Sequence, residues 1–197
     1  TLNCCVENKI SFFGLIFYKK SPRYISYEKS ASLINYSKNK NINSVGVFVN
    51  EKKDLLNSLL KSLNLDYLQL HGQENNNYIK NIKRFNKIKI IKVIALNNYQ
   101  DLENIDNFPD ADYFLFDYKP SKNDLPGGNA KKFKWSLLQN LKLQKKWFIS
   151  GGININNIKD IKNYAIPYGI DISSGVEDFP GEKNLDKINK IMSLTNE

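Results

Sequence analysis

The sequence predicts an α/β fold in which parallel strands alternate with helices, and three observations carry that prediction. Short β-branched and aromatic runs recur about every 20–30 residues, and they are near-continuously apolar, as strands covered on both faces must be. Longer stretches with one apolar face lie between them, the alternation of right-handed βαβ units. The last two runs each end in a small glycine loop, Ser150-Gly151-Gly152 and Ser173-Ser174-Gly175. Seven such runs, preceded by what reads as the end of a helix, predict a (βα)8 TIM barrel whose first strand is absent from this sequence. That would leave roughly a dozen to fifteen residues before Thr1.

The expected strands are Ser11–Phe17, Ser44–Val49, Tyr67–Leu70, Lys89–Leu96, Tyr113–Asp117, Trp147–Ile149 and Gly169–Ile172. Residues 1–8 read as the opening helix remnant. Further helices are expected at Tyr27–Ser37, Lys53–Leu63, Asn76–Phe85, Lys132–Leu143, Ile155–Asn163 and Leu185–Leu194, the last with Leu185, Ile188, Ile191 and Met192 on one face. An open doubly wound sheet competes, but no G-x-G-x-x-G follows a strand. No linker or low-complexity tract divides the chain, so residues 1–197 read as one domain.

With 41% apolar and 12% aromatic residues, the chain can bury a substantial core. Its net charge of +9 comes from lysines scattered among asparagines, a solvated surface with no basic stripe. Nucleic acid is therefore not an expected partner, and a positive field suits an anionic small molecule. Cys4 and Cys5 are adjacent and cannot staple the fold, so a reducing compartment is the default. No apolar run has the length of a membrane span and no secretory signal is visible; the expectation is a cytoplasmic protein without a membrane partner.

Strand-end glycines let backbone N–H groups approach a phosphate, and a helix following each would add its dipole. In a βα barrel the loops after strands seven and eight hold such a group. Gly151, Gly152, Ser173, Ser174 and Gly175 are the phosphate-binding candidates, and a phosphorylated small molecule is the expected substrate. Asp117 closes the run Tyr113–Phe116, where partial burial can fit a carboxyl for general acid work. Turn capping is its plainer reading. The stretch from Tyr118 to Ala130, with Pro120, Pro126, Gly127 and Gly128, suits a lid or an inert surface loop. Gln69 and His71 alternate onto one side at the end of the third run. His71 is the single histidine, so a multi-histidine metal site is excluded. Arg23, after the first run, suits bidentate capture of a carboxylate or simple surface solvation. Around Cys4 and Cys5 the sequence shows no evident helix N-terminus or cation that would lower a thiol pKa, and they read as packing residues.

Taken in order, Gly14–Tyr18 with Ser21–Ile25, Val45–Asn50, Leu68-Gln69-Leu70-His71-Gly72, and Phe116-Asp117 with Gly127-Gly128 and Phe133-Lys134-Trp135 resemble phosphoribosylanthranilate isomerase. Ile149–Ile153, Asp171–Glu177 and Pro180-Gly181 extend the resemblance over essentially the whole chain. It implies an Amadori rearrangement of N-(5-phosphoribosyl)anthranilate in tryptophan biosynthesis, with no metal or organic cofactor. It also implies Asp117 as general acid, Arg23 as partner of the anthranilate carboxylate, and Gln69, His71 and Asp171 lining the pocket. The family's base is a cysteine at the end of the first strand, in a Lys-Ile-Cys-Gly type motif. No such motif occurs here, so the base is expected upstream of Thr1, and Cys4 and Cys5 do not inherit its role. A monomer or a homodimer is expected. Two alternatives stay open on sequence: another phosphate-binding barrel such as indole-3-glycerol phosphate synthase, or a non-catalytic anion- or nucleic-acid-binding barrel.

Overall fold

In the computed structural model, which describes residues 1–121, 127–128 and 131–195, seven strands follow one another in chain order through the main sheet. The chain divides into two compact units, Leu2–Lys92 with Asn107–Asp112, and Val93–Asp106 with Tyr113–Glu197 and Thr1.

The first unit opens with α1 (Leu2–Glu7), a short helix that buries Cys4 and Cys5. β1 (Phe12–Ile16), β2 (Asn43–Phe48), β3 (Tyr67–Leu70) and the start of β4 (Lys89–Leu96) pair in parallel, with Leu15 opposite Gly46, Val47 opposite Gln69 and Gln69 opposite Ile91. Between them lie α2 (Tyr27–Ser37), α3 (Lys53–Leu63) and α4 (Asn76–Phe85), at the expected bounds. Ser26 Oγ accepts from Lys29 N and Asn75 Oδ1 from Tyr78 N, so α2 and α4 start on capping side chains. In α3 the leucines 56, 59, 60 and 63 are all buried, a stripe at helical spacing. Asn64 then turns left-handed with φ 47° and ends the helix.

Two aspartates tie strand starts together here. Asp66 Oδ2 accepts from the backbone N–H and hydroxyl of Ser44, and Asp112 Oδ2 from Ile90 N at 2.9 Å. Burial works to raise the Asp112 carboxyl, but the Ile90 N–H and the Lys83 and Lys89 ammoniums outweigh it and hold it below the usual value.

The second unit holds the rest of β4, β5 (Tyr113–Tyr118), β6 (Trp147–Ile149) and β7 (Gly169–Ile170), the last three pairing in parallel. Interior residues of β4 and β5 are buried on both faces, among them Ile94, Leu96, Phe114, Leu115 and Phe116. That explains the unbroken apolar runs, since each such side chain contributes about 1.5–3 kcal/mol on burial.

Two of the three helices located in this unit from the sequence are shorter than expected, while the last matches its expected start. Tyr99–Asn107 is a 3-10 segment. Lys132–Leu143 reduces to one 3-10 turn, Trp135–Leu138, because Asn140 adopts φ 67°. Ile155–Asn163 shrinks to Ile158–Asn163, where Asn154 and Asn157 side chains capture local backbone N–H groups and compete with a helical start. After β7 a single 3-10 turn (Ser174–Val176) leads into an antiparallel hairpin, β8 (Glu177–Phe179) and β9 (Glu182–Lys183), then α5 (Leu185–Thr195). The hairpin is an addition to the expected scheme.

Candidate functional site

Strand register assembles the site. Phe116 lies opposite Ile149 and Ile149 opposite Ile170. Ser150 N donates to Phe116 O and Asp171 N to Ile149 O, each at 2.8 Å. The next residues, Asp117, Ser150 and Asp171, therefore stand level at the C-terminal ends of β5, β6 and β7. They line a cleft together with Tyr118, Gly127, Gly128, Lys131, Gly151, Gly152, Ser173 and Ser174.

Asp117 is 4% exposed, and its Oδ1 accepts from Tyr118 N at 2.7 Å. Gly151, at φ +87°, lies hard against it: a Cβ there would sit 2.8 Å from Oδ1. Glycine is required on both counts, for the left-handed backbone and for the close approach. The Gly152 carbonyl accepts from Asn157 Nδ2 at 2.9 Å and Asn154 Nδ2 at 3.3 Å, so the two asparagines that shorten the following helix also fix the glycine loop.

Gly175 does not line the cleft. A Cβ on it would drive into the Ile153 carbonyl oxygen and the Asn154 Cα, so it lets the two glycine loops pack against each other. The expected helix dipoles are also absent in strength. Each loop is followed by 3-10 structure rather than an α-helix. Residues 122–126 and 129–130 of the expected lid, including Pro126, lie outside the described residues; Gly127 and Gly128 line the cleft.

The remaining candidates belong to the first unit. Gln69 is buried in β3, and its Nε2 lies 3.2 Å from His71 Nδ1, so the alternation that put both on one side is observed. Arg23 is half-buried in the turn after β1, where its N–H donates to Ser21 Oγ at 3.1 Å. Cys4 and Cys5 are buried in α1.

Two groups of residues escaped the sequence reading. Glu74 accepts from Asn50 N at 2.7 Å, Gly72 N at 3.0 Å and Lys92 Nζ at 3.0 Å. Lys92 Nζ also donates to Gly72 O at 2.6 Å and Leu70 O at 3.3 Å. Burial pushes the Lys92 ammonium below its ordinary value, and Glu74 pulls it part of the way back. This pair locks the loop that follows His71. The second group is Lys183 with Glu177, bonded to Ser173 beside the cleft. A Pro-Gly pair between two short runs was the available sign of that hairpin. Among the described residues no cluster of three or more His, Cys, Asp or Glu is placed to hold a metal.

A parallel sheet alternating with helical segments, with glycine and serine loops lining a cleft at the ends of β6 and β7, defines an α/β protein with its candidate site at strand ends. The comparisons with known proteins then make the assignment specific. The family model described as N-(5'phosphoribosyl)anthranilate (PRA) isomerase matches residues 1–193. The chain belongs to that family. It is 35% identical to the N-(5'-phosphoribosyl)anthranilate isomerase of Agrobacterium fabrum over 199 residues, covering 100% of this chain and 90% of that one. It resembles the crystal structure of the phosphoribosyl anthranilate isomerase of Thermotoga maritima, with TM-score 0.85, 31% identity, and coverage of 99% and 92% of the two chains. A third likeness, TM-score 0.82 at 29% identity with 99% and 92% coverage, is to a phosphoribosyl anthranilate isomerase crystallised with reduced 1-(o-carboxyphenylamino)-1-deoxyribulose 5-phosphate. The predicted barrel fold class is the fold these structures share.

Proposed function

We infer that this chain rearranges N-(5-phosphoribosyl)anthranilate to 1-(2-carboxyphenylamino)-1-deoxyribulose 5-phosphate, with Asp117 as general acid. The observation that carries this reading is one cleft in which a buried carboxyl faces the glycine and serine loops at the ends of β6 and β7. The Asp117 carboxyl protonates the ribose ring oxygen, the C1–O bond breaks, and the anilino nitrogen takes up the positive charge as an iminium. A general base then removes the C2 proton, and the resulting enolamine tautomerises to the ketone, so the reaction is an isomerisation without net redox change. Gly151, Gly152, Ser173 and Ser174 hold the phosphoryl group through backbone and hydroxyl donors, and Gly175 supports them. Arg23 holds the anthranilate carboxylate, and Gln69, His71 and Asp171 support the bound substrate.

The competing indole-3-glycerol phosphate synthase reading needs a lysine free to meet substrate. Lys92 is instead spent on two carbonyls and Glu74. No helix among the described residues is long and apolar enough to cross a membrane, and a cytoplasmic site of action as monomer or homodimer is part of the proposal. The purified protein, given N-(5-phosphoribosyl)anthranilate, should consume it and yield the aminodeoxyribulose phosphate. Absence of that product in an otherwise folded preparation would refute the assignment.

A further inference from the structure

We propose that Lys183 is a positioning residue for the phosphoryl group, setting the Ser173 hydroxyl and its backbone as one wall of the cleft. The inference rests on the phosphate reading above and adds a residue to it. Lys183 sits at the end of β9, where its Nζ donates to Ser173 O at 2.9 Å, Ser173 Oγ at 3.3 Å and Glu177 Oε1 at 2.8 Å. An ammonium has three protons, and three acceptors receive them. Its role is therefore to hold Ser173 and not to touch the ligand itself.

The arrangement has consequences for the hydroxyl. A serine oxygen that accepts from an ammonium keeps its own proton to donate, and the neighbouring positive charge makes it a stronger donor. Ser173 lines the cleft beside Ser174, so that donor belongs to the wall an anion would meet. Glu177 completes the arrangement. Its side chain is 4% exposed and Lys183 is its ion-pair partner. Lys187 braces the same strand from the other side, its Nζ donating to Glu177 O and Asp178 Oδ1, each at 2.8 Å. A Pro180-Gly181 turn with Gly181 at φ 93° folds β9 back so that Lys183 reaches Ser173 across ten residues. The hairpin that the strand-helix scheme does not require thus returns one lysine to the loop after β7.

Without Lys183 two things change together: Ser173 loses both bonds from that ammonium, one at its carbonyl and one at its hydroxyl, and the buried Glu177 carboxylate loses its ion pair with Lys183 beside the cleft. The test uses inorganic phosphate as probe, its dissociation constant read from amide shifts at Gly152 and Ser174, with KM and kcat measured alongside. Lys183→Met should weaken phosphate about 10- to 100-fold, the loss expected when charge-assisted hydrogen bonds are removed. KM should rise by more than kcat falls. Lys183→Arg keeps the charge and a partner for Glu177, but a planar guanidinium does not converge on three acceptors as an ammonium does. It should melt like the wild-type protein and still bind phosphate at least about 5-fold more weakly.

If Lys183→Met does not fold, Lys183→Arg decides alone. Unchanged phosphate affinity in a folded Lys183 variant, with phosphate binding normally to the wild-type protein, would overturn the role of Lys183 and leave the site reading standing. A wild-type protein that takes up no phosphate at these loops would overturn the site reading itself, and this inference with it.

Discussion

Replacing Glu74 by alanine removes the acidic partner that a buried lysine has among the described residues, and the structure sets the size of the loss. The Glu74 and Lys92 side chains are 2% and 3% exposed. The truncation leaves Lys92 with the Gly72 and Leu70 carbonyls and the Phe108 ring face, and strips Asn50 N and Gly72 N of their Glu74 acceptor. Breaking a buried pair from one side costs about 3–5 kcal/mol. For a chain of this length each kcal/mol lowers Tm by about 2–4 °C, so the expected fall is roughly 6–20 °C by calorimetry at pH 7. The pH dependence has a defined sign. Burial already holds Lys92 below its ordinary value of 10.5, so in that range the unfolded chain binds the extra proton. Stability therefore rises with pH towards 10.5. Loss of Glu74 deepens the depression, which makes the gap between variant and wild type largest near neutrality and smaller as pH approaches 10. A second change, Lys92→Met on a Glu74→Gln background, removes the charge and keeps an acceptor, and should recover part of the lost stability. A Tm within about 2 °C of wild type (under roughly 1 kcal/mol), with no pH trend, would refute the reasoning.

Asp117→Asn should lower kcat by roughly two to four powers of ten, the contribution of a positioned proton donor, with substrate affinity largely kept; near-normal turnover would remove Asp117 from the chemistry. Arg23→Ala should act chiefly on KM, raising it about 10-fold or more as a charge-assisted contact is lost, and an unchanged KM in steady-state assays would contradict the carboxylate role. Gly175→Ala pushes a Cβ into the Ile153 carbonyl; overpacking of about 1–3 kcal/mol should cut Tm by about 2–12 °C and weaken phosphate binding, and a variant indistinguishable in both would show that the loops need no such contact. The Asp112 carboxyl is held below 3.8, so its contribution is present above that pH and fades as acid titrates it. Asp112→Asn should lose stability at pH 7 and show a flatter decline below about pH 4 in urea titrations; parallel curves for the two proteins would exclude that linkage.

The parts of this molecule that could be read from the chain are those where a local pattern and the final environment make the same demand. β4 is apolar from Ile90 to Leu96 except at Lys92, and it is buried accordingly on both faces. α3 repeats leucine at helical spacing because one face meets the core. Asp117, Gly151, Gly152, Ser173 and Ser174 could be found for the same reason: parallel register carries the residue after each strand to one level, so position at a strand end is also position in the cleft. The reading failed where an unsignalled local turn or a distant partner decides. Lys132–Leu143 has the composition of a helix, yet Asn140 takes a left-handed turn and only Trp135–Leu138 coils. Lys92 interrupts its strand without an evident reason until Glu74, 18 residues earlier, comes round to meet it. Lys183 looks like one of many surface lysines until the Pro-Gly hairpin brings it back to Ser173. Only Lys92 carried a local signal, a charge inside an apolar strand, and a charge buried there persists only where a partner meets it. Those distant partners make Lys183 the position where the cleft's supporting structure is most exposed to a single substitution, and Lys92 the corresponding position for the loop after His71.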